Sequence, residues 1–348
     1  MRFSFPDCLG NPHASRSLKL LKLFFEFLIA FLRNLNTVCH ESAIVASLNQ
    51  LSLTLSIIIV SFNTKDKLHR CLSCLSPDEH EVIVVDNASS DGSVDMVSGE
   101  FPWVQLIRND QNLGFGAANN VGLDRATGQL VLFLNSDAYV QPGSLETLVA
   151  AFADGTVVAA GPKLLNLDGS LQESVAAKLT LWNVFLEQTF LDFFARRMGR
   201  GYWRTQSLPA DVVSTVDQVM GACMMVRASA DERFDERFFL YCEDTELCLR
   251  LSGHGRIVYV PQALVVHELG SSSVDSRWKS VARYNLGKEL YFRIHRGAFA
   301  AGICWGLNRF GAVLRILAGV VRPEKAKIFA KVLFAKSSDV IPAQYMRR

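Results

Sequence analysis

Four times in its first half this chain runs through apolar residues, stops on a polar one and turns into a helical pattern. The runs are residues 53–62, LTLSIIIVSF; 81–87, EVIVVDN; 103–109, WVQLIRN; and 129–137, QLVLFLNSD. Near-continuous β-branched runs of this length mark strands buried on both faces, as parallel strands are. Helical stretches at 64–76, after the turn ASSDGS, and at about 115–126 provide the crossovers. The chain is therefore expected to be α/β, with a doubly wound, mainly parallel sheet. Such sheets bind ligands beyond the carboxyl ends of their strands. Asn63, Asp86 and Asp137 stand at those ends. Beyond residue 140 the alternation loosens. A strand and turn are expected at 157–166, helix at 178–200, a strand pair at 216–228, a loop entering a helix at 235–255, and strands at 256–268.

Composition narrows the function. With 348 residues, 49% hydrophobic and 20% charged, the chain can bury a sizeable core. Lys and Arg (36) nearly balance Asp and Glu (34), leaving no global field to hold DNA or RNA. The eight cysteines are dispersed through a long chain, which suits a reducing compartment better than a disulfide scaffold. The C-x-x-C pair at Cys71 and Cys74 has metal-like spacing but no partner pair, so core packing is the better reading.

Both ends carry amphipathic patterns. In residues 18–33, LKLLKLFFEFLIAFLR, the charged Lys19, Lys22, Glu26 and Arg33 fall on one helical face opposite Leu and Phe. That helix is too interrupted to span a bilayer or to serve as a signal peptide. It reads as an in-plane membrane helix, as one packed on the domain, or as the product of a start codon assigned too early. From residue 296 to the end there are ten Lys/Arg against two Asp/Glu, interleaved with ICWGL and IFAKVLF. Basic amphipathic helices of this kind suit an anionic lipid surface, or form a solvated basic face. The expected division is 1–52 extension and linker, 53–295 α/β domain, and 296–348 helical extension.

Five clusters could carry chemistry. Asp86 and Asn87 end the second strand, where a carboxylate can bind a base or ribose, or cap a turn. Asn112-Leu113-Gly114-Phe115-Gly116 precedes a helix and could let a phosphate approach its N-terminus, although Asn119 and the position after the third strand exclude a dinucleotide fingerprint. Asn135-Ser136-Asp137 could hold Mg²⁺ or Mn²⁺. Glu243-Asp244, beside FFLY, offers a partly desolvated general base or a helix cap. His267 becomes a candidate metal or diphosphate contact if Asp137 lies near it.

Taken in order, SIIIVSFN (56–63), VIVVDNASSDGS (82–93), NLGFGAANNVG (112–122), VLFLNSD (131–137), GACMMVR (221–227), FDERFFLYCEDTELCLR (234–250) and HELGSS (267–272) resemble the family 2 glycosyltransferases of GT-A fold. The nearest likeness is to their rhamnosyltransferase-like branch, over roughly residues 55–295. The resemblance implies that Ser61, Asn63 and Asp86 hold the nucleotide of a sugar donor, with Asn87, Asn112, Gly114, Asn135 and Ser136 around it. It implies Asp137 as the last acid of a metal-binding DxD element, His267 as a further ligand for Mg²⁺ or Mn²⁺, and Asp244 as the base, with Glu243 its acidic neighbour. It implies inverting transfer by single displacement, from dTDP-rhamnose or a UDP-sugar, to a saccharide or polyprenyl-diphosphate-linked acceptor, peripherally at the cytoplasmic face of the membrane. The chain departs from the pattern at Asn135 (for an acid), Phe62 (for Tyr), Glu246 (for Asp), and Glu268 and Leu269 (for small or polar residues). Two other readings differ in class. A nucleotide-sugar-binding module would bind donor without turnover, against which Asp137 and Asp244 are intact. A nucleotidyltransferase would want a glycine-rich loop after the first strand, where SFNTKDK has none.

Overall fold

The run Ser56–Val60 becomes β1 (Leu55–Ser61), flanked by β2 (Glu81–Asp86) and β4 (Leu130–Asn135), both parallel to it. Ile57, Ile58 and Ile59 have no exposed surface, which explains why this run lacks polar alternation. The computed structural model describes residues 53–77, 79–230, 232–268, 274–319, 323–343 and 345. The amphipathic pattern at 18–33 lies outside them.

β3 (Gln105–Arg108) pairs in parallel with β2. The crossovers are α1 (Lys65–Leu72), α2 (Ser93–Glu100) and α3 (Phe115–Leu123). In α1 the apolar Leu68, Cys71 and Leu72 recur at helical spacing and are buried against the sheet. After β4 come the short β5 (Ala138–Val140), α4 (Ser144–Ala151) and β6 (Val157–Leu165). β7 (Val175–Ala176) is followed by α5 (Leu181–Gln188) and α6 (Asp192–Arg197), then by β8 (Ser214–Val216), β9 (Gln218–Val219) and β10 (Cys223–Arg227). α7 (Glu243–Leu251) leads into β11 (Arg256–His267).

The main sheet runs β3-β2-β1-β4-β10-β6-β11-β5, with β8 on β11. Its first four strands are all parallel, as expected. β10 then enters antiparallel between β4 and β6, whereas β6 and β11 are parallel to each other. The segment 216–228 is thus not a hairpin: β9 pairs with β7, and β10 joins the main sheet. Residues 256–267 are one strand, not several. Its register on β6 jumps between Val260 and Leu264, where Pro261 has no N–H to give to a ladder.

The C-terminal part is helical, as the sequence suggests: α8 (Val274–Ala318), broken at Gly297 (φ +83°), α9 (Pro323–Phe334) and α10 (Ser337–Val340). It packs onto the α/β domain rather than standing apart, and residues from Leu53 onward form one compact unit. The buried Lys288 ammonium meets Glu187 of α5 at 3.0 Å. Arg283 donates to the Val340 carbonyl (2.7 Å), and the Tyr345 hydroxyl donates to the Phe238 carbonyl (3.2 Å). No helix among the described residues is long and apolar enough to cross a membrane.

Candidate active site

The parallel ladder brings the strand ends level. Ser61 is paired in register with Asp86, and Val60 with Asn135, so Ser61, Asp86 and Asn135 end neighbouring strands at one edge of the sheet. Ser61 is buried and its Oγ lies 3.0 Å from Thr64 Oγ1, which donates to Ser136 Oγ (2.9 Å). Asn63 sits at φ +53°, a left-handed conformation that Asn tolerates. Its Oδ1 accepts from Ser90 N–H (2.8 Å) and its N–H donates to Ser89 Oγ (2.9 Å), closing the β1 and β2 loops against each other. Asp86 Oδ2 accepts from Ser89 N–H (2.9 Å), while its buried Oδ1 has no partner. An unpaired buried carboxylate oxygen is costly. A donor group on a ligand would satisfy it.

Asn87, Asn112 and Gly114 have a different task from the one expected of them. The Asn87 amide spans to the Gly114 carbonyl (3.1 Å), and its oxygen accepts from Asn109 Nδ2 (2.9 Å). Asn112 Oδ1 accepts from Gly114 N–H (2.9 Å). Gly114 is at φ +79°, and a Cβ there would lie 2.4 Å from the Phe239 carbonyl oxygen. At Gly116 a Cβ would lie 2.9 Å from Phe234 Cβ. Phe115 N–H, in the first turn of α3, already donates to the Phe239 carbonyl (3.0 Å). The space in which a phosphate was expected is filled by the segment carrying the acidic pair. These glycines admit that segment instead.

That segment ends in two consecutive non-glycine residues with positive φ, Tyr241 (+77°) and Cys242 (+70°). Strain of this kind gathers at functional sites. It turns Glu243 and Asp244 into a cavity of about 350 Å³ whose wall also includes Asn135, His267, Tyr202 and Trp203. Asp244 does not cap α7. The helix begins at Glu243 with no side-chain cap. Asp244 Oδ2 accepts from Gly221 N–H (2.9 Å) and Oδ1 from Thr245 N–H (2.7 Å). Burial raises its pKa, and these backbone donors oppose the rise. Glu243 Oε2 is buried without a partner. Burial, and then the charge of Asp244, push its pKa up to about 8. The two carboxyls are thereby made unequal: Glu243 keeps its proton up to about 8, whereas backbone N–H donors on both oxygens of Asp244 favour its charged form against burial.

One consequence concerns stability. Unfolded, Glu243 ionises near 4.5; folded, it keeps its proton to about 8. Between those values the folded state binds a proton that the unfolded state has lost, so stability falls as pH rises. Glu243→Gln should remove that loss. Its melting temperature relative to the parent should be higher at pH 8 than at pH 5, by the equivalent of a few kcal/mol. An equal difference at both pH values would show that Glu243 is not neutral in the fold.

Asp137 and His267 do meet. Asp137 Oδ1 lies 3.3 Å from His267 Nε2. Gln172 sets the imidazole: its amide NH₂ donates to Asn166 Oδ1 (2.9 Å) and the His267 carbonyl (3.1 Å), so its oxygen faces His267 Nδ1 (2.7 Å). That network assigns the hydrogen to Nδ1 and leaves the Nε2 lone pair toward Asp137. Asn135 Nδ2 is also 3.3 Å from Nε2. An oxygen and a nitrogen electron pair converging in this way are stabilised by a shared cation, and a divalent metal fits this donor set. Lys67 Nζ approaches the other Asp137 oxygen (3.8 Å) and Glu268 (3.4 Å). Glu268 also accepts from the Tyr139 hydroxyl (2.7 Å), which accounts for an acid at that position. Glu246 is accounted for too: it forks onto Arg250 (2.9 and 2.7 Å) and faces His295, a structural role. Cys71 is buried with its thiol toward the Asn135 carbonyl, and the described cysteines are free.

Gln172, Lys67, Tyr202 and Trp203 were not foreseen. Gln172 lies 95 residues from His267 in a polar turn, NLDGSLQES, that carries no local signal.

Two family models match the chain, glycosyl transferase family 2 over residues 56–199 and glycosyl transferase family group 2 over residues 130–335. Among related proteins is the N-acetylglucosaminyl-diphospho-decaprenol L-rhamnosyltransferase of Mycobacterium tuberculosis, 29% identical over 73% of this chain and 89% of that protein. Another is the rhamnosyltransferase WbbL of Escherichia coli K12, 29% identical over 61% of this chain and 82% of that protein. A mannosyltransferase from Pyrobaculum calidifontis, solved with GDP-Man and Mn²⁺, aligns over 85% of this chain and 82% of that one, with 16% identity and a TM-score of 0.47. With the second model spanning more than half of its length, the chain belongs to the family 2 glycosyltransferases.

Proposed function

We propose that this glycosyltransferase moves L-rhamnose from dTDP-L-rhamnose to a polyprenyl-diphosphate-linked saccharide, with inversion, in the synthesis of a cell-surface polysaccharide. The observation that carries the reaction type is one cavity presenting Asp244, both of its oxygens held by backbone N–H groups, beside the Asn135–His267 corner. Support for the sugar and for a lipid-linked acceptor comes from the mycobacterial relative, which aligns over most of both chains.

On this reading Ser61, Asn63 and Asp86 form the nucleotide end of the site, with the free Asp86 Oδ1 accepting from the base. Asn87 and Asn112 act indirectly, by holding the loop against which the acidic pair is set. Asp137 and His267 would hold a divalent cation, Mg²⁺ or Mn²⁺, which when bound neutralises charge on the leaving diphosphate. Asp244 takes the proton of the acceptor hydroxyl as its oxygen attacks the anomeric carbon and the bond to the diphosphate oxygen breaks. Glu243, being neutral, leaves Asp244 as the negative charge that receives that proton. We take the inner face of the cell membrane as the place of work, where a lipid-linked acceptor would be met and the basic helices from residue 296 onward would face anionic lipid.

The test is release of nucleoside diphosphate from a panel of dTDP- and UDP-sugars, with Mn²⁺, Mg²⁺ or EDTA, with and without a short-chain polyprenyl-diphosphate-GlcNAc acceptor. Release from dTDP-rhamnose only with acceptor and metal is the expected result. Release from a UDP-sugar alone would overturn the rhamnose assignment. Donor binding with no release from any donor, across an acceptor panel, would overturn the transferase reading.

A further inference from the structure

Between Ala176 and Trp203 the chain leaves the wall of the catalytic cavity and comes back to it. Ala177 N–H donates to the Tyr202 carbonyl (2.8 Å), and Ala176 bridges to Trp203, so the excursion is closed at its base. Ala176, Tyr202 and Trp203 all line the cavity that holds Asp244. Whatever the excursion touches is therefore brought to the cavity's rim.

The excursion is α5 and α6, and its inner side is fixed. Val184 and Leu186 are buried, Glu187 is tied to the buried Lys288, and Arg315 donates to the Glu187 (2.8 Å) and Gln188 (3.2 Å) carbonyls at the end of α5. Asp192 accepts from Arg196 Nε (2.5 Å) and Tyr202 N–H (3.2 Å). Its outer side is the reverse of a water-facing surface. Trp182 is 63% exposed, Phe194 61% and Met198 68%, with Phe190, Leu191 and Phe193 also exposed. Large apolar side chains concentrated in so short a stretch mark an interaction surface.

Charge chooses the partner. Both acids of the stretch, Glu187 and Asp192, are engaged with cations of the protein itself, whereas Arg197 and Arg200 are exposed. The Arg197 guanidinium lies 4.4 Å from the centre of the Phe193 ring, so aromatic and cation occur side by side. Rings with interleaved arginines and no free acid match the interfacial zone of an anionic bilayer, where rings enter the headgroup boundary and guanidinium groups meet phosphate. The surface continues onto the basic C-terminal helices through Arg315, which lies over both Phe190 (4.8 Å) and Phe329 (5.5 Å).

We infer that residues 181–198 are a membrane-docking element, which sets the mouth of the catalytic cavity against an anionic lipid surface. That the docking serves a lipid-linked acceptor rests on the function proposed above; the binding to lipid does not.

The test uses the full chain and flotation with vesicles of phosphatidylcholine, with and without phosphatidylglycerol. The variants are Trp182→Gln/Phe193→Gln/Phe194→Gln and Arg197→Glu/Arg200→Glu; all five side chains are exposed, and circular dichroism checks the fold. The parent should bind the anionic vesicles. The aromatic variant should bind about 100-fold more weakly, and the arginine variant should lose its preference for phosphatidylglycerol. Both should keep parental turnover on a water-soluble acceptor and lose it on acceptor embedded in vesicles. Unchanged vesicle binding by the aromatic variant would overturn the inference. So would light scattering that shows a parent dimer which the aromatic variant dissociates, since the surface would then bind a second copy. Weakened lipid binding with neither acceptor used by the parent would uphold the docking element and overturn the acceptor instead.

Discussion

Asp244→Asn should lower turnover roughly 10²- to 10⁴-fold, the range for loss of a general base, with donor affinity nearly unchanged. Asparagine keeps the shape of the side chain and one oxygen to accept from Gly221 or Thr245 N–H, so the loop that positions it should survive. What disappears is the ability to take a proton. Donor affinity should persist because Ser61, Asn63 and Asp86 lie at the ends of other strands. The parent's pH profile supplies a second check. Burial holds Asp244 above its ordinary value of 3.8, so the acid limb of kcat should lie above that value and vanish from the residual activity of the variant. Glu243→Gln should be far milder, because the glutamate it replaces is already neutral. Unchanged turnover in Asp244→Asn, or a greater loss in Glu243→Gln, would reassign the base.

Asp137→Ala should weaken Mn²⁺ binding about 100-fold or more, measured by the electron paramagnetic resonance of free Mn²⁺ in the presence of dTDP and without acceptor. Metal affinity is therefore read apart from activity. The loss should be large because Asp137 supplies the oxygen that faces the His267 lone pair at 3.3 Å. Lys67 would keep its contact with Glu268, so no buried cation is stranded. Gln172→Leu touches neither ligand's donor atom but frees the ring to exchange its tautomer, and should cost roughly 10- to 100-fold in the same measurement. Parental Mn²⁺ affinity in Asp137→Ala would remove the metal from this corner of the site.

Much of the site is legible before any folding. Ser61, Asp86, Asn135 and Asp137 are conspicuous because each ends an apolar run, and a parallel sheet must bring such ends to one edge. Glu243-Asp244 is conspicuous as adjacent acids beside an aromatic run. What these residues do is less legible. Gly114 reads as part of a phosphate loop in one dimension and proves to be a slot for the Phe239 carbonyl, because the partner lies more than a hundred residues away. Asn87 looks like a ligand contact and is occupied with Asn109 and Gly114. Glu268, a departure from the family pattern, makes sense only beside the distant Tyr139, whereas the partner of Glu246, Arg250, is one turn on in the same helix.

The division follows the range of the forces. Strand and helix alternation, the parallel half of the sheet and the list of polar strand ends come from periodicity and local backbone preference, which neighbouring residues determine. The reversed insertion of β10 between β4 and β6 depends on long-range pairing, and no local pattern encodes it. Protonation belongs to the same class. Asp244 and Glu243 are adjacent and chemically alike, but Gly221 and Thr245 donate to the two oxygens of one while a buried oxygen of the other has no partner, so burial drives them apart. The His267 tautomer likewise depends on Gln172 from another part of the chain. The sequence by itself determined which groups could react; the packed structure decided which of them hold a proton, which face a cation and which only support the rest.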